Sequence, residues 1–228
     1  MTTSESDAPR GPRAERKRRD ILRAAREVFL SDGFAGASIT EVAARADASK
    51  VTVYRHFGDK ERLFVAVVLS AIEEAEERSR SIVDALAEST RLDEDLRAFA
   101  RQHLEIVTQP ALVRMRRTII AEAERFPALA AAWHERAPRQ AHRRLGGIIR
   151  RLADRGLLAV DDAEVAAAHL NYLILSAPLD EAMFIPGSSP FPPAQLHRWA
   201  DDAVRVFLAA YGAPHPTVVG ARTASAQT

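Results

Sequence analysis

The chain has 228 residues, 47% hydrophobic, with 32 basic residues against 31 acidic ones and no cysteine. That is enough apolar material for a sizeable core, so a disordered chain is excluded, and so are disulfides and thiolate metal sites. No run approaches the ~18 apolar residues of a membrane span, and the opening MTTSESDAPRGPR lacks the apolar segment of a signal peptide, so a soluble cytoplasmic protein is expected.

Residues 1–13 are polar, contain Pro and Gly, and read as a disordered basic arm. Arg10 and Arg13 would suit it to an adjacent minor groove. From Ala14 a helix is predicted to Ser31, with Ile21, Leu22, Ala25, Val28 and Phe29 as its inner stripe and Gly33 as its C′ residue. Between Arg10 and Arg26 there are eight basic residues against Glu15 and Asp20. A polyanion partner would want such a local excess. Lysine occurs only as Lys17, Lys50 and Lys60, all in this N-terminal part of an arginine-rich chain, where a compact point charge has a use.

The stretch Ser38 to Lys60, SITEVAARADASKVTVYRHFGDK, reads as two short helices joined by a tight turn and followed at once by a third. Ser38 and Glu41 have capping-box spacing. Ile39, Val42, Ala43 and Ala46 make one small apolar face. The turn is Ala46-Asp47-Ala48-Ser49, with Asp47 where a left-handed residue is convenient. Ser49 then caps a helix from Lys50 to His56. Val53 and Phe57 point inward, which leaves Lys50, Thr52, Tyr54, Arg55 and His56 outside. A short helix with one buried stripe and a basic, hydrogen-bonding outer face suits a DNA major groove. Asp59 caps the next helix, and Lys60 sits in its first turn.

VTVYRHFGDKERLF, Val51 to Phe64, resembles the TetR family of transcriptional regulators, and the resemblance covers roughly Arg16 to Phe64. The Tyr-x-His-Phe followed by Asp-Lys-Glu-x-Leu is far more specific than a bare helix-turn-helix pattern. One departure is Asp47, where family members often carry Gly. The resemblance implies that Thr40, Lys50, Val51, Thr52, Tyr54, Arg55, His56 and Lys60 fall on DNA-facing positions. Thr40 and Lys60 lie near helix N-termini, which favour phosphate. Tyr54 and His56 would donate to phosphate oxygens. Lys50 and Arg55 would read guanine edges, and the methyls of Val51 and Thr52 a thymine methyl, with a packed Val51 as the alternative.

The helix from Lys60 is expected to run to about Leu86, burying Leu63, Phe64, Val67, Val68, Ala71 and Ile72. Its pairs Glu74–Arg78 and Glu76–Arg80 have favourable i,i+4 spacing. After a polar break near Glu88 to Asp93, Leu96 to Val107 suits another helix. Pro110 starts the next, ending near Phe126-Pro127. A short helix is expected around Ala128 to Arg136, an interruption at Pro138, and a longer helix from Arg139 to Arg155 stopped by Gly156. A helix over 162–184, the irregular loop PGSSPFPP at Pro186 to Pro193, a helix over 194–211 and a disordered tail over 213–228 complete the chain.

Thr118 to Pro138 and Arg155 to Leu170 are similar to the C-terminal domain of the AefR-like branch of the same family. The expected architecture is all-α: a three-helix helix-turn-helix DNA-binding domain over 14–60 and a helical ligand-binding and dimerisation domain over 61–212. The expected partners are double-stranded operator DNA and a second copy, joined through the last two helices by Leu173, Leu175, Trp199, Val206 and Phe207. The third is a small hydrophobic ligand, with candidate walls at Phe64, Val68, His103, Ile106, Met115, Ile119, Phe126, Trp133, Tyr172 and Met183. A DNA-binding regulator controlled by a protein partner is the alternative. An enzyme is the remaining class, and little supports it. His103, His134, His142 and His169 lack zinc-ligand spacing, Ser176 and Ser188 lack elbow glycines, and no phosphate loop or cofactor motif is present.

Overall fold

The computed structural model describes residues 11–185 and 191–213, without the side chains of 75, 76 and 78–85. Residues 1–10 of the expected arm, the tail beyond 213 and most of the Pro-rich loop therefore lie outside the described residues, as do the side chains of Glu76, Arg78 and Arg80, while Pro12 and Arg13 already belong to the first helix. Ten α-helices carry the described chain. They are α1 (Pro12–Gly36), α2 (Ile39–Arg45), α3 (Lys50–Phe57), α4 (Lys60–Ala87), α5 (Leu92–Val107), α6 (Pro110–Ala121), α7 (Pro127–His134), α8 (Gln140–Asp154), α9 (Ala163–Phe184) and α10 (Pro193–Tyr211). The fold is all-α. Its one extended pairing among the described residues is an isolated bridge between Leu158 and Gly212. Among the described residues, no helix is long and apolar enough to cross a membrane.

Local chemistry sets most boundaries. Ser49 accepts from the Thr52 amide at 3.1 Å, Asp59 from Arg62 at 2.7 Å and Asp162 from Glu164 at 2.9 Å, each satisfying an orphan donor of the first turn. Gly33, with φ 68 and ψ 178, interrupts α1. The chain bends there and turns Phe34 into the interior. Gly58 ends α3 at φ 84, a value costly for any other residue.

Three expectations need correction. Glu41 does not complete a capping box; it reaches forward to Arg45 at 2.6 Å, while Ser38 accepts from Thr40. The helix from Pro110 stops at Ala121, because a turn over 122–125 is needed to bring Phe126 into the core. Pro138 does not break the chain. A single wide π-type turn, Glu135–Arg139, carries α7 directly into α8 and absorbs the missing amide of Pro138. Likewise Pro178 sits buried inside α9, where it cannot donate to the preceding turn.

Two cores result. One joins α1–α3 and the first half of α4 to Met115 and Ile119 of α6 and to Leu129 and Trp133 of α7. The other joins the end of α4 to α5, α8, α9 and α10. The first is centred on four phenylalanines. Phe34 lies 5.0 Å from Phe126 and 5.1 Å from Phe64, and Phe29 lies 5.1 Å from Phe64, the first and last in edge-to-face contact. Arg125 covers Phe34 at 4.7 Å and pairs with Glu61 at 2.8 Å. Glu74, on α4, reaches back to Arg26 of α1 at 2.7 Å. Helices α1–α3 are thus packed onto α4 and onto the α6–α7 connection as one unit.

Phe34→Ala should therefore cost about 3–5 kcal/mol of unfolding free energy. The exposed Ile120→Ala should stay within about 0.5 kcal/mol of wild type. Urea denaturation followed by circular dichroism measures both.

Candidate nucleic-acid interface and interior cavity

The turn between α2 and α3 is a Schellman motif. The Ala48 amide donates to the Ala43 carbonyl at 2.9 Å and the Asp47 amide to Ala44 at 3.2 Å. Asp47 takes the left-handed conformation this requires, at φ 47. Lys17 of α1 donates to the Ala46 and Asp47 carbonyls at 3.3 and 2.9 Å. Lys60 donates to Ala35 at 3.1 Å and lies 4.9 Å above the Phe34 ring. Two of the three lysines therefore brace the backbone of the helix-turn-helix, and Lys60 is only partly turned to solvent. Lys50 is the exposed one, and among the described residues no hydrogen bond or ion pair holds it.

Val53 and Phe57 are buried and fix the rotation of α3. The opposite face carries Lys50, Val51, Tyr54 and Arg55, all exposed. Val51 is 75% exposed, which rules out the packed alternative for it. Thr52 is half-buried, its hydroxyl 2.9 Å from Ser49 Oγ, so its methyl is freer than its oxygen. Burial, then the charges of Arg55 and Arg18, lower the His56 pKa, so its half-buried ring is neutral at pH 7 and offers one N–H. Thr40 is exposed on the first turn of α2, its amide taken by Ser38 and its hydroxyl outward. Seven of the eight candidates thus lie on α2 and α3, which pack on each other, and Lys60 opens α4, which packs on α3. Arg18, stacked 5.2 Å over Phe57, lies beside α3 and belongs to the basic excess between Arg10 and Arg26.

The body holds a cavity of about 110 Å³, walled by α4 to α9 and by the π-type turn. Of the ten pocket candidates, His103, Ile106 and Trp133 line it. Phe64, Val68, Met115, Ile119 and Phe126 belong instead to the core shared with the DNA-proximal helices. Tyr172 is 62% exposed, its ring 5.7 Å from that of His142, and Met183 is half-buried near the end of α9. Lining residues that the sequence reading passed over include Arg116, His142 and Asn171. His103 Nε2 lies 3.0 Å from Asn171 Oδ1. Burial lowers the His103 pKa, against the opposing pull of Asn171, so the ring is neutral and donates to that oxygen. Among the described residues, no group of His, Asp or Glu is gathered to hold a metal ion.

Short capped helices, a rigid turn between them and an outward cluster of basic and hydrogen-bonding side chains define a helix-turn-helix DNA-binding protein. Comparison with known proteins agrees. Residues 21–67 match the family described as bacterial regulatory proteins, tetR family, and residues 94–213 match the AefR-like transcriptional repressor C-terminal domain. The chain belongs to the TetR family, whose members are transcriptional regulators and not enzymes. A TetR-family regulator from Mesorhizobium loti is 39% identical, with a TM-score of 0.84 over 89% of this chain and 100% of that one. The flavonoid-responsive regulator FrrA is 27% identical, with a TM-score of 0.67 over 88% of this chain and 100% of that one. The regulator UidR of Escherichia coli K12 is 34% identical over 118 residues, 52% of this chain and 57% of UidR. The chain spans only 28% to 57% of the length of such curated relatives.

Lys50→Ala should weaken binding to all duplexes and flatten the salt dependence by about one unit of slope if Lys50 meets phosphate; a base contact would instead cost ~1–3 kcal/mol and relax specificity. Lys17→Met should lower the melting temperature and weaken binding without changing the slope, because Lys17 holds the turn from behind. Fluorescence anisotropy across a salt series separates them.

Proposed function

We propose that the protein is a cytoplasmic repressor that binds a pseudo-palindromic operator as a homodimer and is released by a small hydrophobic ligand in its body. The observation that carries this is the path of α4. It starts at the Asp59 cap beside α3, contributes Phe64 to the phenylalanine cluster, and reaches the cavity wall at Ile72. A ligand that changes the cavity thus acts on the element that orients the DNA-binding helices. The responsiveness named for FrrA supports the reading. So does the repressor type of the matched C-terminal domain.

The cavity is smaller than the ~300–1,000 Å³ of pockets for drug-sized ligands. At about 110 Å³ it admits a molecule of a few heavy atoms, and larger ones only if the π-type turn in its wall shifts. Such turns, held by weaker hydrogen bonding, often sit at functional sites. To switch the protein, the ligand must favour the DNA-incompetent state by a few kcal/mol.

For the dimer, Leu175 and Phe207 are buried within the chain, so they support the interface from behind. The large exposed apolar groups on α9 and α10 are Val165, Tyr172, Phe184, Trp199 and Val206. A helix as apolar on all sides as α9 wants cover on its outer face too, and a two-fold axis there would also double the DNA site.

Selection from random duplexes should return a two-fold symmetric site. Val206→Glu should give a monomer in sedimentation and drop operator affinity at least tenfold. A dimer that survives this change, or an unsymmetric site bound by one copy, would sink the reading.

A further inference from the structure

The cavity wall contains three arginines and two histidines, and no Asp or Glu. Arg136 pairs outward with Glu73 at 3.9 Å, and Arg144 is engaged. Arg116 is different. It enters the wall from α6, beside Leu112, and among the described residues no carboxylate or hydrogen-bond acceptor meets its guanidinium. Arg116 is partly buried, and a partly buried cation without a partner is destabilising. His103 already gives its Nε2–H to Asn171, and the apolar lining includes Phe99, Trp133 and Leu175.

We infer that the cavity is the place of a small organic carboxylate, its carboxylate on the Arg116 guanidinium and its apolar body between Phe99, Trp133 and Leu175. The planar fork of arginine matches a carboxylate in a two-bond pair, which a lysine or a neutral donor does not reproduce. The volume fixes the size. About 110 Å³ is somewhat less than the 150 Å³ apolar cavity that accepts benzene. As it stands the cavity therefore takes a short aliphatic monocarboxylic acid, and an aromatic one only if the π-type turn in its wall shifts. The rings of Phe99 and His103, 5.4 Å apart and 8° from parallel, stack on each other and give the wall a flat aromatic surface. Burial depresses the Arg116 pKa, as expected of a cation whose partner is missing.

The inference deepens the ligand-responsive reading and rests on it only for the consequence, not for the site. Titration calorimetry on the full chain with benzoate, phenylacetate and hexanoate, each against its neutral amide, tests it. At least one acid should bind, and at least tenfold more tightly than its amide. Arg116→Met should abolish that preference, and Arg116→Lys should keep part of it. Without ligand, Arg116→Met should melt at a higher temperature than wild type, because it removes an unpaired, partly buried charge. Equal binding of acid and amide, no binding by any of the acids, a preference that survives Arg116→Met, or a lower melting temperature for that variant each overturns the inference. If an acid binds through Arg116 but leaves operator affinity unchanged, the carboxylate site stands and the ligand-controlled repressor falls.

Discussion

Edge-to-face packing of Phe34 against Phe126 is the contact on which the architecture turns. Phe34 belongs to the chain that leads into the helix-turn-helix, and Phe126 to the connection between α6 and α7. Their contact, with Phe29 and Phe64 around it, gives the DNA-proximal helices a core shared with α6 and α7 of the body instead of leaving them a tethered module. Rings packed at interior density have few alternative arrangements. A shift of α6 or α7 therefore moves α1 and α4 with it or breaks the packing. Arg125 reinforces the joint from outside, stacked on Phe34 and Phe126 and paired with Glu61.

The same helices wall the cavity. α6 supplies Arg116 to it and Met115 to the shared core, one residue apart and on different sides. α7 supplies Trp133 to both. Nothing long-range is needed for coupling when one element faces both sites. Arg117 adds a further tie. It donates to the Ala182 carbonyl at the end of α9, so α6 is also fastened to the helix with the exposed apolar face. Cavity, DNA-proximal helices and proposed dimer surface all meet on α6.

The helix-turn-helix was legible in the sequence because its determinants are local. Ser49, Asp47 and Asp59 act within three residues of themselves, and the Val53–Phe57 pair alone sets which side of α3 faces out. The cavity was not, because its walls are chosen by how helices cross. Phe64, Met115 and Phe126 have the same size and polarity as true lining residues, and only packing assigns them to the other core. Arg116 was passed over inside the run VRMRR. Its signal was spacing: it lies four residues after Leu112 and three before Ile119, on an apolar stripe where a charge is partly withdrawn from solvent. Pro138 misled for a related reason. A proline reads as a break, yet one wide turn kept the chain helical through it.

The central claim is that the DNA-binding helices share a cooperative core with the body. Amide hydrogen exchange on Phe126→Ala, altered only on the body side, tests it most directly. The account predicts that protection falls by a similar factor in α2, in the buried turns of α1 and along Leu63 to Ile72 of α4. Wild-type protection in α1 and α2, with loss confined to α6 and α7, would contradict it.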